Sequence, residues 1–134
     1  MRLNKGADNM GMWIYMFIIT LIMPLTMVFI GRAFINKAPK KINAVFGYRT
    51  SMSMKNKDTW QFAHNVCGRF WYKTGLGILP TTVIVMLLVL VRNVELAEEV
   101  GGITVILQLV PIFLSMFVTE RELNKVFNKD GTRR

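Results

Sequence analysis

Few residues here have the capacity for chemistry. The 134-residue chain holds one His and one Cys. They are His64 and Cys67, three apart, a spacing that brings two side chains together on a helix. Metal binding or redox chemistry would be the sharp use of such a pair. A structural zinc site takes four ligands, however, and no further Cys or His exists in the chain to complete one. A single Cys also excludes an intramolecular disulfide. The expectation is a packed Cys beside a His on the polar edge of its helix, with no metal and no cofactor. The acids Glu95, Glu98 and Glu99 read as a solvated turn. No paired carboxylates, nucleophile–base pattern or phosphate loop is present, so an enzyme is not expected.

The elements that carry these residues are marked by missing charge. Residues 9–31, 74–91 and 100–119 contain no Asp, Glu, Lys or Arg. About 20 apolar residues of helix cross a hydrocarbon core. A soluble helix shows a polar face, and Met12–Ile30 and Val83–Val91 do not. Three spans follow, at about 12–30, 74–91 and 100–118. The first is too long for a secretory signal, and no clean cleavage pattern follows it. The fold class is an all-α integral membrane protein. It has three transmembrane helices plus an amphipathic interfacial helix in the first loop, and residues 1–134 form a single membrane domain.

The formal net charge of +9 has a position as well as a size. Of the 17 Lys and Arg residues, nine lie between the first two spans and five in the basic tail, residues 120–134. Grouped by side of the membrane, 14 oppose 3. The positive-inside rule then places the first loop and the C-terminus in the cytoplasm, and the N-terminus outside. Beside anionic lipid each loop cation would gain about 1 kcal/mol. Nucleic acid is not an expected partner, because the loop holds no recognition module.

That loop divides in two. Residues 36–54 are polar and punctuated by Pro39 and Gly47. Residues of about 56–73 read as an amphipathic helix, capped by Ser53 or Asn56, with Asp58 in its first turn to suit the dipole. At 100° per residue Trp60, Ala63, Val66, Cys67, Phe70 and Trp71 share one arc. Asp58, Gln61, Asn65, Arg69 and Tyr72 lie opposite. Such a helix suits the membrane interface, turning into the second span near Gly75 and Gly77. Gly47 suits a turn with positive φ. Arg49 is placed to fork onto a lipid phosphate or a helix C-terminus. Asn43 and Asn56 suit loop bonds or caps, and Trp60 an anchor among headgroups.

The ordered run Ile42-Asn43-Ala44-Val45-Phe46-Gly47-Tyr48-Arg49-Thr50, then Ser53-Met54-Lys55-Asn56, Thr59-Trp60-Gln61-Phe62-Ala63-His64, Cys67-Gly68 and Trp71 resembles the SdpI/YfhL family of small bacterial membrane proteins. The likeness covers about residues 36–75. Ser51 departs from it, where many members carry Pro. The resemblance implies a bacterial cell-membrane protein. It also implies a role in immunity or resistance to a membrane-active peptide toxin, since the family takes its name from a member that protects its producer from one. The motif positions it marks are Asn43, Gly47, Tyr48, Arg49, Thr50, Ser53, Asn56, Trp60 and Gly68. The alternative is a membrane-bound signalling or scaffold protein whose basic loop recruits a cytoplasmic partner.

Within the spans there is no Asp, Glu, Lys, Arg or His, which argues against ion-coupled transport. Each span holds one proline: Pro24, Pro80 and Pro111. Thr104, Gln108, Pro111, Ser115 and Thr119 form one narrow face of span three. Met12, Met16, Thr20, Met23, Pro24, Met27 and Gly31 form one of span one. Thr104, Gln108 and Ser115 make a candidate polar seam, with Gln108 the costliest to leave facing lipid. A reporter that works only in the cytoplasm, fused after Arg134, is expected to be active; activity only of an external reporter would overturn the orientation.

Overall fold

The computed structural model describes residues 2–134, with side chains from Asn4 onward. Arg2, which enters the charge asymmetry above, therefore has its side chain outside the described residues. Helix α1 spans Arg2–Lys37 and α2 spans Lys57–Arg92. A short 3-10 turn, Val94–Leu96, leads into α3, Ala97–Val126. All three helices are long and apolar enough to cross a membrane. The only β pairing among the described residues is an isolated bridge between Phe127 and Arg133. This is a multi-pass, all-helical membrane architecture.

The contacts set an up–down–up bundle. Trp13 of α1 donates its indole N–H to the Met86 carbonyl of α2, 2.8 Å away. At the opposite end Phe34 of α1 packs edge-on against His64 of α2. The first loop and the C-terminal tail thus share one end, the basic end. The Asn93 turn and the start of α1 share the other, where Lys5 meets Glu95 at 3.6 Å. That pair is exposed and adds little.

Residues 57–73 do not form a separate helix that turns into the membrane. They are the first half of α2, which runs without a break. At 1.5 Å per residue this half rises about 25 Å. The apolar arc explains the continuity. Trp60, Ala63, His64, Cys67 and Gly68 are buried, and so are Gly75, Thr82, Met86 and Val89 further along. Steps of three, four and seven keep them on one stripe, so one straight helix buries both halves against the same neighbours. The arc faces protein: Ala63 and Cys67 pack in one cluster with Tyr48, Met52, Leu123 and Phe127. The expected interfacial helix is thus corrected to an extension of the second span, covered by the loop and the end of α3. Trp60 is corrected with it, for its ring is wholly buried and its indole N–H donates to the Pro39 carbonyl at 2.7 Å.

Glycine sets how closely α1 and α2 approach. A Cβ on Gly31 would meet the Tyr72 nitrogen at 2.6 Å and the Gly68 oxygen at 2.8 Å. A Cβ on Gly68 would meet the Gly31 oxygen at 2.8 Å. Both obstacles are backbone and cannot swing aside. Small residues at a crossing are the usual route to tight helix packing in lipid, where lipid tails are as apolar as side chains. A Cβ on Gly77, by contrast, would meet nothing within 4 Å. Gly31→Ala should therefore cost about 1–3 kcal/mol through overpacking, while Gly77→Ala should be neutral or stabilising. Thermal unfolding of the two variants in detergent checks this, and equal behaviour would contradict the close crossing.

Candidate functional site at the basic end

The loop between α1 and α2 is built on small side-chain locks. The Asn43 carboxamide oxygen accepts the backbone N–H groups of Val45 and Phe46 at 3.0 and 2.8 Å, an Asx-type turn. Gly47 follows with φ of +126°, the left-handed region that glycine enters without penalty. A Cβ there would also run into His64 and, at 3.0 Å, into Trp60.

His64 is the centre of this fold rather than a polar-edge residue. It is completely buried. Its Nε2 accepts the Tyr48 backbone N–H at 2.9 Å, and its Nδ1 lies 2.7 Å from the Trp60 carbonyl. A backbone N–H only donates and a carbonyl only accepts, so these partners select the neutral ring with its proton on Nδ1. The Phe34 and Trp60 rings pack on the imidazole at 4.7 and 4.3 Å between centroids.

From Tyr48 the loop closes onto α3. The Tyr48 hydroxyl donates to Glu120 at 2.9 Å, and the Thr50 hydroxyl donates to the same carboxylate oxygen at 2.6 Å. Burial, followed by the Glu120 hydrogen bond and charge, holds the Tyr48 phenol well above its ordinary range. It therefore remains a protonated donor at any physiological pH. The Ser53 hydroxyl contacts the Tyr48 and Thr50 carbonyls and accepts the Thr50 N–H. Asn56, not Ser53, caps α2, in a reciprocal capping box with Thr59. The Asn56 amide also donates to the Gly131 carbonyl at 2.7 Å, and Arg133 grips Asp58 with two bonds of 2.6 and 2.9 Å. The C-terminal segment is thus folded back onto the start of α2.

Of the nine motif positions, eight are buried or half-buried: Asn43, Gly47, Tyr48, Thr50, Ser53, Asn56, Trp60 and Gly68. Arg49 alone is exposed. Among the described residues no carboxylate lies within ion-pair distance of it. It stands on the wall of a cleft of about 500 Å³ shared with Phe34, Phe46, Tyr48, Trp71 and Met116. The sequence reading missed the central place of His64, the role of Glu120 and the docked tail. One signal for His64 was available: it follows Trp60 by four residues, on the apolar side.

The candidate polar seam takes a different form inside the bundle. Gln108 is buried, and its amide donates to the Thr20 carbonyl of α1 at 3.1 Å and to the Thr82 hydroxyl of α2 at 2.9 Å. The Thr20 carbonyl is free because the residue four positions on is Pro24, which has no N–H to offer it. A side chain of α3 therefore supplies the bond that proline removes from α1, as membrane helices require. Ser115 accepts the Trp71 indole N–H at 2.8 Å. Thr104 spends its proton on its own helix, at Val100, and lines a second cleft of about 500 Å³ between α2 and α3 with Thr74, Thr81, Thr82 and Gln108.

The loop motif, its seat on α2 and α3 as far as Thr119 fall within one match to a known family, and the Glu120 clasp lies one residue beyond it. The model of the SdpI/YfhL protein family matches residues 40–119, well over half of the chain. The chain belongs to the SdpI/YfhL protein family. No curated protein and no solved structure matches it. The family match takes in the last two spans and leaves out all of α1 and the docked tail. The Gly31 crossing and the Thr20–Gln108 bond thus join the family region to a helix outside it.

Gln108→Leu should destabilise the bundle by about 1–2 kcal/mol, because the Thr20 carbonyl then has no donor. In a Pro24→Ala background, where residue 24 regains its N–H, the same change should cost clearly less. Unfolding of the four proteins of this cycle in detergent measures the coupling, and strict additivity would refute it.

Proposed function

We propose that this SdpI/YfhL family protein confers resistance to a membrane-active peptide toxin by a non-enzymatic mechanism, from a bacterial cell membrane with its basic end in the cytoplasm. The family membership supports the role, through the resemblance to a member that protects its producer from a toxic peptide. The observation that carries the reading to a residue is the exposure of Arg49. Every other motif side chain is spent, wholly or partly, on holding the loop, whereas Arg49 presents a guanidinium that forks onto carboxylate or phosphate. The spans hold no Asp, Glu, Lys, Arg or His to act as acid or base within the bilayer.

The test is survival under a panel of membrane-active peptide toxins. Cells expressing the protein should outlive cells expressing Arg49→Ala at matched membrane levels. Equal survival would remove Arg49 from the protective site, and no protection by either protein across the panel would remove the role itself.

A further inference from the structure

The cleft beside Arg49 lies where the three spans end. Ile30 lies at the end of the charge-free run of α1, next to its last residue, Trp71 precedes that of α2, and Met116 lies near the end of that of α3. All three line the cleft, together with Phe34, Phe46 and Arg49. Its floor is thus apolar and level with the edge of the hydrocarbon, and Arg49 is its one charged lining residue.

The loop at its mouth is unusual for a segment between basic flanks. Val45 is 89% exposed and Phe46 is 49% exposed. Both line the cleft, and Ile42 beside them is exposed as well. Apolar side chains clustered on a turn at the end of membrane spans match the hydrocarbon–headgroup boundary, where apolar groups leave water and cations meet phosphate. Lys40 and Lys41 immediately precede this group and are exposed. Glu120 is the acid packed against the loop here, and one of its oxygens is engaged by the Tyr48 and Thr50 hydroxyls.

We propose that this cleft seats one anionic phospholipid of the surrounding bilayer, with an acyl chain along Ile30, Phe34, Phe46, Trp71 and Met116 and the phosphate on Arg49. The apolar floor selects a chain-bearing ligand over free phosphate. The lone guanidinium, with no protein acid paired to it among the described residues, selects an anionic headgroup over a zwitterionic one. The loop of residues 42–49, rather than the first half of α2, is then the interfacial element of this protein. The inference stands apart from the toxin reading, because it is measured on the purified full chain with no toxin present.

The experiment is native mass spectrometry of the full chain released from mild detergent micelles containing phosphatidylglycerol or phosphatidylcholine. One phosphatidylglycerol should be retained about tenfold more strongly than phosphatidylcholine. Arg49→Gln should abolish the preference, Arg49→Lys should keep part of it, and Arg121→Gln, exposed on α3 and not part of the cleft lining, should leave it intact. Inorganic phosphate at millimolar concentration should not displace the lipid. Equal retention of the two lipids, an unchanged preference in Arg49→Gln, or displacement by inorganic phosphate would each overturn the proposal. If Arg49→Gln does not fold, the comparison of Arg49→Lys with the parent decides, with identical preference counting against the guanidinium.

Discussion

The two nitrogens of His64 hold the basic end of this protein together. One accepts the Tyr48 N–H and the other meets the Trp60 carbonyl, so a single buried ring joins the loop to α2. The Gly47 turn has to bring the Tyr48 backbone over the imidazole, and only a residue without a Cβ fits between that ring and Trp60. Once the Tyr48 backbone is placed, its side chain reaches Glu120 on α3. Thr50 and Ser53 then close the turn behind it. A buried polar network of this kind is favourable only when its members are satisfied, and the His64–Tyr48–Glu120 chain meets that condition. Charging the imidazole would put a proton on Nε2, opposite a backbone N–H, and break the lock.

Hydrogen bonds between helices also order the interior of the bundle, where there is no water to compensate, although the buried Gln108 Oε1 is left without a partner. Pro24 withdraws an N–H from α1, and Gln108 returns a donor from α3. Trp13 and Trp71 likewise bury their indole N–H groups on partners in neighbouring helices. Glycine at the α1–α2 crossing complements these bonds by letting backbones approach. Shape and a small number of hydrogen bonds replace the hydrophobic drive that a soluble bundle would use.

These interactions divide the family motif into a frame and an exposed point. Asn43, Gly47, Tyr48, Ser53, Asn56 and Trp60 are committed to internal geometry, and Gly68 to the crossing with α1. The docked tail reinforces the frame through Arg133 on Asp58 and Gly131 on Asn56. The result is a rigid platform at the end of the spans that displays Arg49 beside an apolar cleft. Binding and positioning follow naturally from such a platform.

Membrane insertion, three helices and the asymmetry of charge were legible in the residues alone, because the bilayer tests each segment locally for length and polarity. The positive φ at Gly47 and a cap at Ser53 or Asn56, which the structure resolves to Asn56, were legible for the same reason: both are short-range demands of the backbone. The direction of the arc from Trp60 to Trp71 was not. Periodicity shows that such an arc is apolar, but lipid and protein satisfy an apolar face equally well. Only the tertiary structure, by folding the loop and the end of α3 over it, decided that the arc faces protein and that α2 continues unbroken. His64 at the centre, Glu120 as the clasp and Gln108 as the donor that Pro24 lacks depend on partners between 16 and 88 residues away. Those pairings arise when helices are brought side by side, and no local pattern encodes them.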